Sequence, residues 1–153
     1  MASKRRLWFA VSQTPDSRRV IRLNPALRGT LKRCAILCAA EELAGLETEL
    51  SVVLLGEAEM LELNNRILGH DWHTDIITVE LDRESDRLEA ELYLGVMMAR
   101  ENAVRYRATL EDELSRLVIH GLLHLAGYDD HTPVGKKRMR NRERFFLRKS
   151  EQY

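Results

Sequence analysis

The stretch of this chain that decides the fold runs from residue 115 to residue 132 and reads SRLVIHGLLHLAGYDDHT. Seven apolar residues between positions 117 and 126 cover nearly every side of a helix, which indicates a helix buried at the centre of the fold. Gly127 predicts the end of that helix, and Thr132 followed by Pro133 is typical of the N-cap and first residue of the next one. The connection between the two helices is therefore short.

Two histidines in this helix predict a metal site. His120 and His124 lie four residues apart, so their side chains project from one face, one turn apart. The chain then turns at Gly127 and brings Asp130 or His131 toward the same point. Two ligands from a helix and one from a turn leave a zinc ion a fourth position for water. We therefore expect one zinc-type ion per chain; the competing interpretation is two core histidines bonded to main-chain oxygen.

The residue after the first histidine separates the reactions that such a site could catalyse. Zinc peptidases with an HExxH pattern use the glutamate at that position as general base, and this chain has Gly121 there. A zinc ion still polarises a phosphoryl oxygen and lowers the pKa of its bound water to about 7. Hydrolysis of a phosphodiester therefore needs no such glutamate.

Charge is unevenly distributed, although Lys and Arg together number 24, as do Asp and Glu. Residues 1–33 contain nine basic residues with Asp16 as their only acid, and residues 136–149 contain eight with Glu143 as theirs. Two basic ends suit a polyanionic partner such as RNA. Ordinary solvated helix faces are the competing interpretation.

Length and composition limit the class of protein. The 153 residues, 44% of them hydrophobic, predict one globular domain over residues 1–153. The apolar run Leu7–Val11 is too short for the core of a signal peptide, and no segment is long enough to span a bilayer. We expect a cytoplasmic protein without a membrane partner. Cys34 and Cys38 are expected to be reduced core residues.

The remaining pattern predicts four strands and five helices. We expect strands at 7–13, 50–55, 75–81 and 91–96. We expect helices at 25–44, 57–67, 97–107, 110–126 and 133–149. This order favours an α+β or mixed α/β fold.

Residues 120–131, HGLLHLAGYDDH, resemble the HGxLHLxGYDH signature of the YbeY family, bacterial metal-dependent endoribonucleases that take part in ribosomal RNA maturation. Residues 64–79, NNRILGHDWHTDIITV, are similar to the family's segment with LN, GxD and a T[DN] pair before a strand. The resemblance implies an α+β fold in which about five helices pack a small, mostly parallel four-stranded sheet. It places the metal site on a central HxxxH helix, at the end of a cleft.

The resemblance also implies ligands. His120 and His124 match the first two of the family. The family's last histidine lies ten residues after the first, and this chain has Asp130 there, with His131 one residue later. A carboxylate oxygen binds zinc at about the same distance as an imidazole nitrogen, so Asp130 is slightly favoured because the turn keeps its length. His131 remains the alternative.

The substrate residues are less defined. The family's arginine three residues before the aspartate of GxD is Leu68 here, so the phosphate-binding role is unassigned. Arg66 is the nearby candidate for a catalytic role, although residues two apart on a helix point to different faces. Thr74, Asp75 and Thr78 match the family's cleft-lining strand and are candidate substrate contacts. Strand-start and pairing roles explain them equally well.

The two histidines of the 69–75 segment flank a tryptophan. His70 and His73 are expected at the surface or beside the metal ligands, and stacking of an RNA base on Trp72 is the alternative.

Three functions follow as hypotheses. The first is a single-strand-specific endoribonuclease acting on ribosomal RNA precursors or the ribosome. The second is a peptidase-like hydrolase whose base comes from Asp129 or Glu91, which Gly121 argues against. The third is a non-catalytic RNA- or ribosome-binding protein in which the metal ties two helices together.

Overall fold

The computed structural model describes residues 7–69 and 73–152, and in them four strands form one sheet with five α-helices. The strands are β1 (Leu7–Gln13), β2 (Glu47–Leu55), β3 (Ile76–Arg83) and β4 (Arg87–Gly95). The helices are α1 (Pro25–Glu42), α2 (Glu57–Leu68), α3 (Val96–Tyr106), α4 (Leu110–Leu125) and α5 (Pro133–Glu151), with a 3-10 turn at Asp16–Arg19. The predicted α+β class is confirmed.

The sheet is mostly parallel and has the strand order β1-β2-β4-β3. Strands β1, β2 and β4 run parallel, while β3 pairs antiparallel with β4 at the edge. Strand β4 begins four residues before the predicted start because Leu88 and Ala90 continue its buried alternation between charged neighbours. Residues on one face of a strand recur every second position, so this alternation lays one apolar row against the helices.

Helix α4 forms the centre of the core, as its sequence predicts. It packs against three helices and two strands, namely α1, α3, α5, β3 and β4, and its fully buried side chains are Leu114, Leu117, Val118, Ile119, Leu122 and Leu123. Burying each such side chain contributes about 1.5–3 kcal/mol, so packing holds α4 firmly in place. This packing therefore fixes the positions of the α4 side chains that are not buried in the core.

The predicted helix starts at Pro25 and Pro133 are confirmed, whereas α1 ends at Glu42, two residues before its predicted end, and α5 ends two residues later than predicted. The Asn24 side chain accepts a hydrogen bond from the Leu27 amide at the start of α1, and Gly69 ends α2 with φ 69°. At the start of α5 the Thr132 hydroxyl accepts a hydrogen bond from the Gly135 amide. These caps satisfy main-chain groups that a helix end leaves without partners.

Two further features bear on the sequence predictions. Cys34 and Cys38 are free and buried on α1, as expected. Among the helices of the described residues, none combines the length and apolar character needed to cross a membrane.

Candidate metal centre

The end of α4 turns the chain back toward its own last turn. Gly127 has φ 99°, a left-handed conformation that glycine adopts without strain. The Gly127 amide donates to the His124 carbonyl, and the Tyr128 amide donates to the Leu123 carbonyl, each at 3.0 Å. This pair of bonds is the Schellman arrangement. It brings the Tyr128 carbonyl within 3.1 Å of His124 Nδ1.

The two histidines of α4 face one another through the same ring atom. Nε2 of His120 and Nε2 of His124 lie 3.0 Å apart. Because the Tyr128 carbonyl can only accept, His124 carries its proton on Nδ1 and turns the Nε2 lone pair toward His120. Burial, and next the nearby His120, lower the pKa of His124, which favours the neutral imidazole that binds metals.

Asp130 completes a triangle of ligand atoms. Its Oδ2 lies 3.7 Å from His120 Nε2 and 3.6 Å from His124 Nε2. Tetrahedral zinc with bonds of 2.0–2.1 Å separates its ligand atoms by about 3.3–3.4 Å. The three observed separations bracket that value, and two nitrogens with one carboxylate oxygen are donors that zinc accepts. These residues therefore fit a zinc ion.

The outer nitrogen of His120 points to an ion network on α4 and α5. His120 Nδ1 is buried without a hydrogen-bond partner among the described residues, and Glu143 Oε2 lies 3.5 Å away. Arg116, one turn before His120, binds Glu143 at 2.9 Å and Glu113 at 2.6 Å. Both glutamates are buried, so the guanidinium compensates charges that would otherwise be costly. Ligating histidines commonly face such a carboxylate.

A cleft of about 1040 Å³ opens beside the three ligand atoms. Strand β3 and the segment before it supply Thr74, Asp75 and Thr78 to its wall, and Leu68 lines it as well. The candidate substrate residues and the candidate ligands therefore share one cavity. The side chains of His120 and Asp130 remain 16% and 32% exposed, so one side of the triangle faces this cleft.

Arg83 is the cleft residue that the sequence did not suggest. Its Nη2 donates to the Leu125 carbonyl at 2.7 Å and its Nε donates to Glu80 at 2.7 Å. Among the described residues lining the cleft it is the only permanent cation. Arg83 ends a strand and carries no motif, so no local pattern identifies it.

The other candidates within the described residues are exposed. His131 borders the cleft, but its side chain is 86% exposed and its Nε2 lies 3.6 Å from Asp129. Arg66 is exposed on α2 and is absent from the cleft wall. His73 is half exposed, with Glu57 at 3.7 Å. His70 and Trp72 lie outside the described residues.

Of the two bases considered for a peptidase, Glu91 lies on the wrong face of the sheet, while Asp129 lies beside Asp130 and is 63% exposed. Glu91 pairs with Val79 across the β4–β3 register, and Val79 packs in the small apolar cluster under α2, on the sheet face opposite α4. Tyr93 donates its hydroxyl to Glu91 there. Asp129 accepts a hydrogen bond from the His131 amide at the surface. A Cβ on Gly121 would lie 2.6 Å from Leu92, so position 121 faces the sheet and not the cleft.

Comparison with known proteins shows the family. Residues 15–151 match the family described as Endoribonuclease YbeY. A protein of Cytophaga hutchinsonii with that name is 36% identical over 95 residues, 62% of this chain and 66% of that protein. The Chlorobium phaeovibrioides protein of the same name is 37% identical over 118 residues, 77% of this chain and 78% of that protein.

A solved structure is similar over nearly the whole chain. The solution structure of a Thermotoga maritima protein has a TM-score of 0.62 and 26% identity, and the match covers 95% of this chain and 89% of that one. The fold, the HxxxH helix with its returning carboxylate and the sequence match agree with one another. This chain belongs to the endoribonuclease YbeY family.

Proposed function

We propose that this chain is a zinc-dependent endoribonuclease that hydrolyses phosphodiester bonds of single-stranded RNA, with ribosomal RNA precursors as its substrate. The observation that carries the proposal is the triangle of His120, His124 and Asp130, which fits one zinc ion and faces a cleft. The names of the relatives support RNA as the substrate. Such a substrate implies a cytoplasmic protein, since ribosomal RNA is made there in bacteria.

The residues of the site have separate tasks in this proposal. A bound zinc ion would supply a Lewis acid for the phosphoryl group and an acidified water as nucleophile. His120, His124 and Asp130 hold the ion, and the Tyr128 carbonyl and Glu143 orient the two rings. Thr74 and Thr78 line the wall where substrate lies, and their hydroxyls can donate to or accept from RNA.

Arg83 is the residue best placed to bind the substrate phosphate. Its bond to the Leu125 carbonyl fixes the guanidinium beside the residue that follows His124. Its Nη1 makes no hydrogen bond with the described residues, so two N–H groups remain for a ligand. Guanidinium N–H groups match the geometry of phosphate oxygens. Arg83 thereby takes the role that Leu68 cannot perform.

The experiment is a cleavage assay with purified protein and end-labelled single-stranded RNA. We expect internal cleavage with about one zinc per chain, loss of cleavage on chelation, and recovery when zinc is returned. His120→Ala and His124→Ala should abolish it, while His73→Ala, a histidine outside the triangle, serves as the matched control. Cleavage of a control peptide but not of RNA would reverse the proposal.

Two comparisons refine this assay. Duplex RNA of the same sequence tests strand specificity, and equal cleavage of both forms would contradict it. Cleavage of a ribosomal RNA precursor is compared with cleavage of an unrelated RNA of equal length. Equal rates would contradict the proposal that ribosomal RNA precursors are the substrate. Metal spectroscopy that counts the protein ligands of the zinc ion tests the alternative of a non-catalytic RNA-binding protein. Four protein ligands would mean a closed, structural site.

A further inference from the structure

We propose that the outward face of α5 binds the phosphate backbone of a long RNA, at a surface distinct from the metal cleft. The surface, here called the α5 ridge, consists of Lys136, Arg140, Arg144 and Arg148. The choice of RNA as the partner rests on the proposed function, whereas the ridge itself rests on the geometry and charges of α5.

The ridge is a single row of side chains. Its members follow one another at four-residue intervals, and residues at that spacing lie on one face of a helix. All four are exposed, while Met139, Glu143, Phe146 and Ser150 form the buried face of α5. From Lys136 to Arg148 the row extends about 18 Å along the helix axis. It is therefore an extended line of positive charge.

The charges of the ridge are not compensated within the described residues. The other basic residues of α5's second half have partners, since Arg142 binds Glu41 and Glu42, and Lys149 binds Glu41 at 2.7 Å. No ion pair involves a ridge residue in the parts of the chain at 7–69 and 73–152. The single acid between residues 136 and 149, Glu143, is buried and bound to Arg116.

Such a row destabilises the isolated helix. Like charges four residues apart repel one another, and three consecutive pairs of this kind occur along the ridge. A polyanion removes this repulsion and releases its own condensed counterions when it binds. The partner must therefore be anionic and extended over several turns of the helix.

An aromatic side chain favours RNA over other polyanions. Phe145 is 42% exposed and lines a groove with Arg144 and Arg148, and the Arg142 guanidinium lies over its ring, 4.6 Å from the centroid. Single-stranded RNA sites combine aromatic rings and arginines in this way, so an unpaired base can pack against the exposed part of this aromatic–guanidinium pair. A membrane-binding helix would instead present a broad apolar face beside its cations, and the Met139 and Phe146 side chains of α5 are buried in the core.

The helix that carries the ridge begins next to the turn that carries Asp130. Helix α5 starts three residues after Asp130, and a Cβ on Gly135 would lie 2.2 Å from the Asp129 carbonyl, so its first turn is in contact with the ligand-bearing turn. The ridge then runs away from that turn toward the end of α5. One RNA strand can therefore occupy the cleft and continue along the ridge, so that a single domain binds both parts of it.

The test compares two fourfold variants of the full chain. The ridge variant carries Lys136→Gln, Arg140→Gln, Arg144→Gln and Arg148→Gln. The control carries Arg19→Gln, Lys32→Gln, Arg100→Gln and Arg105→Gln, which remove four exposed cations from other surfaces. Binding of a long single-stranded RNA is measured by fluorescence anisotropy over a range of salt concentrations, with a chelator present so that no cleavage occurs.

We expect the ridge variant to bind RNA more weakly and to lose about 3 from the slope of log affinity against log salt, since each phosphate contact on a single strand contributes about 0.7. The control should keep the slope of the parent. Turnover of a short oligonucleotide that fills only the cleft should be equal in the parent and the ridge variant. An unchanged slope in the ridge variant would overturn the proposal.

The two proposals fail separately. RNA binding through the ridge without any cleavage would refute the endoribonuclease and leave the ridge in place. RNA cleavage by a ridge variant with an unaltered salt slope would refute the ridge and leave the endoribonuclease in place. Preferential binding of phosphatidylserine vesicles or polyglutamate over RNA at equal salt would also overturn the choice of partner. If the fourfold variant does not fold, the double variant Arg144→Gln, Arg148→Gln should show about half of the loss in slope that is expected for the fourfold variant.

Discussion

The side chains of Asp130 and His131 are adjacent in sequence but have different surroundings. Asp130 Oδ2 lies within 3.7 Å of both Nε2 atoms, whereas His131 is exposed beside Asp129. We expect Asp130→Ala to lower zinc affinity by more than the roughly 10–100-fold typical of residues that only orient a ligand. His131→Ala is the matched control and should bind zinc like the parent. Zinc titration with a competing chelator measures both, and the opposite order would assign the third ligand to His131.

Glu143 is expected to act on the metal through His120. Its carboxylate lies 3.5 Å from His120 Nδ1 and favours the tautomer with the Nε2 lone pair free. Glu143→Gln keeps the shape but removes the charge, so zinc affinity should fall about 10–100-fold. Circular dichroism must show a folded protein, because Arg116 also loses a partner. Parent-like zinc affinity in a folded variant would limit Glu143 to its pairing with Arg116.

Arg83 is expected to bind substrate and not metal. Arg83→Gln should raise the KM for RNA by about 10-fold or more, because a hydrogen bond to a charged group contributes about 1.5–3 kcal/mol, while zinc content stays equal to that of the parent. Arg66→Gln, on the exposed side of α2, is the matched control. A change in zinc content or melting temperature without a change in KM would mean that Arg83 only fastens the end of α4 to β3.

Helix α4 lies close to the sheet because position 121 has no side chain. A Cβ there would meet Leu92 at 2.6 Å and Ile76 at 3.0 Å. We expect Gly121→Ala to lower the free energy of unfolding by about 1–3 kcal/mol through overpacking. Gly29→Ala is the matched control, since no atom lies within 4 Å of its Cβ position in α1, and it should raise stability by about 1 kcal/mol. Urea denaturation measures both; equal effects would refute the close-packing argument.

Local patterns predict most of the elements. Asn24 with Pro25, and Thr132 with Pro133, predict helix starts because a cap is made within three or four residues. The HxxxH spacing predicts the ring pair for the same reason. The predicted start of β4 is wrong although Leu88 and Ala90, on either side of Glu89, continue the alternation, because so short a pattern is ambiguous until pairing with β2 extends it.

Contacts between residues that are distant in sequence are not predicted by local patterns. Glu143 reaches Arg116 and His120 over 27 and 23 positions, and Arg83 reaches Leu125 over 42. None of these three contacts is visible in sequence, because only the packing of α5 and β3 against α4 brings the residues together. The antiparallel edge position of β3, which forms the cleft wall, is likewise a property of the whole sheet.

Zinc should stabilise the whole molecule. The ligand atoms come from α4 and from the turn before α5, so an ion bound to them joins two segments in the folded state only. At a free zinc concentration 100 times the Kd, the gain is about 2.7 kcal/mol. For a chain of this length that corresponds to a rise in Tm of about 5–10 °C. Calorimetry with and without zinc measures it, and an equal rise in the His120→Ala, His124→Ala double variant would place the zinc elsewhere.

The Schellman turn at the end of α4 has a consequence for mutational tolerance. The oxygen that fixes the proton of His124 belongs to the main chain of Tyr128, so no exchange of that side chain can delete it. Point mutation reaches this contact only by changing the path of the backbone. The vulnerable position is therefore Gly127, where any residue with a Cβ resists the positive φ and would turn the carbonyl away. A substitution at 128 keeps the carbonyl that faces the imidazole, whereas a substitution one residue earlier acts on the backbone that positions it.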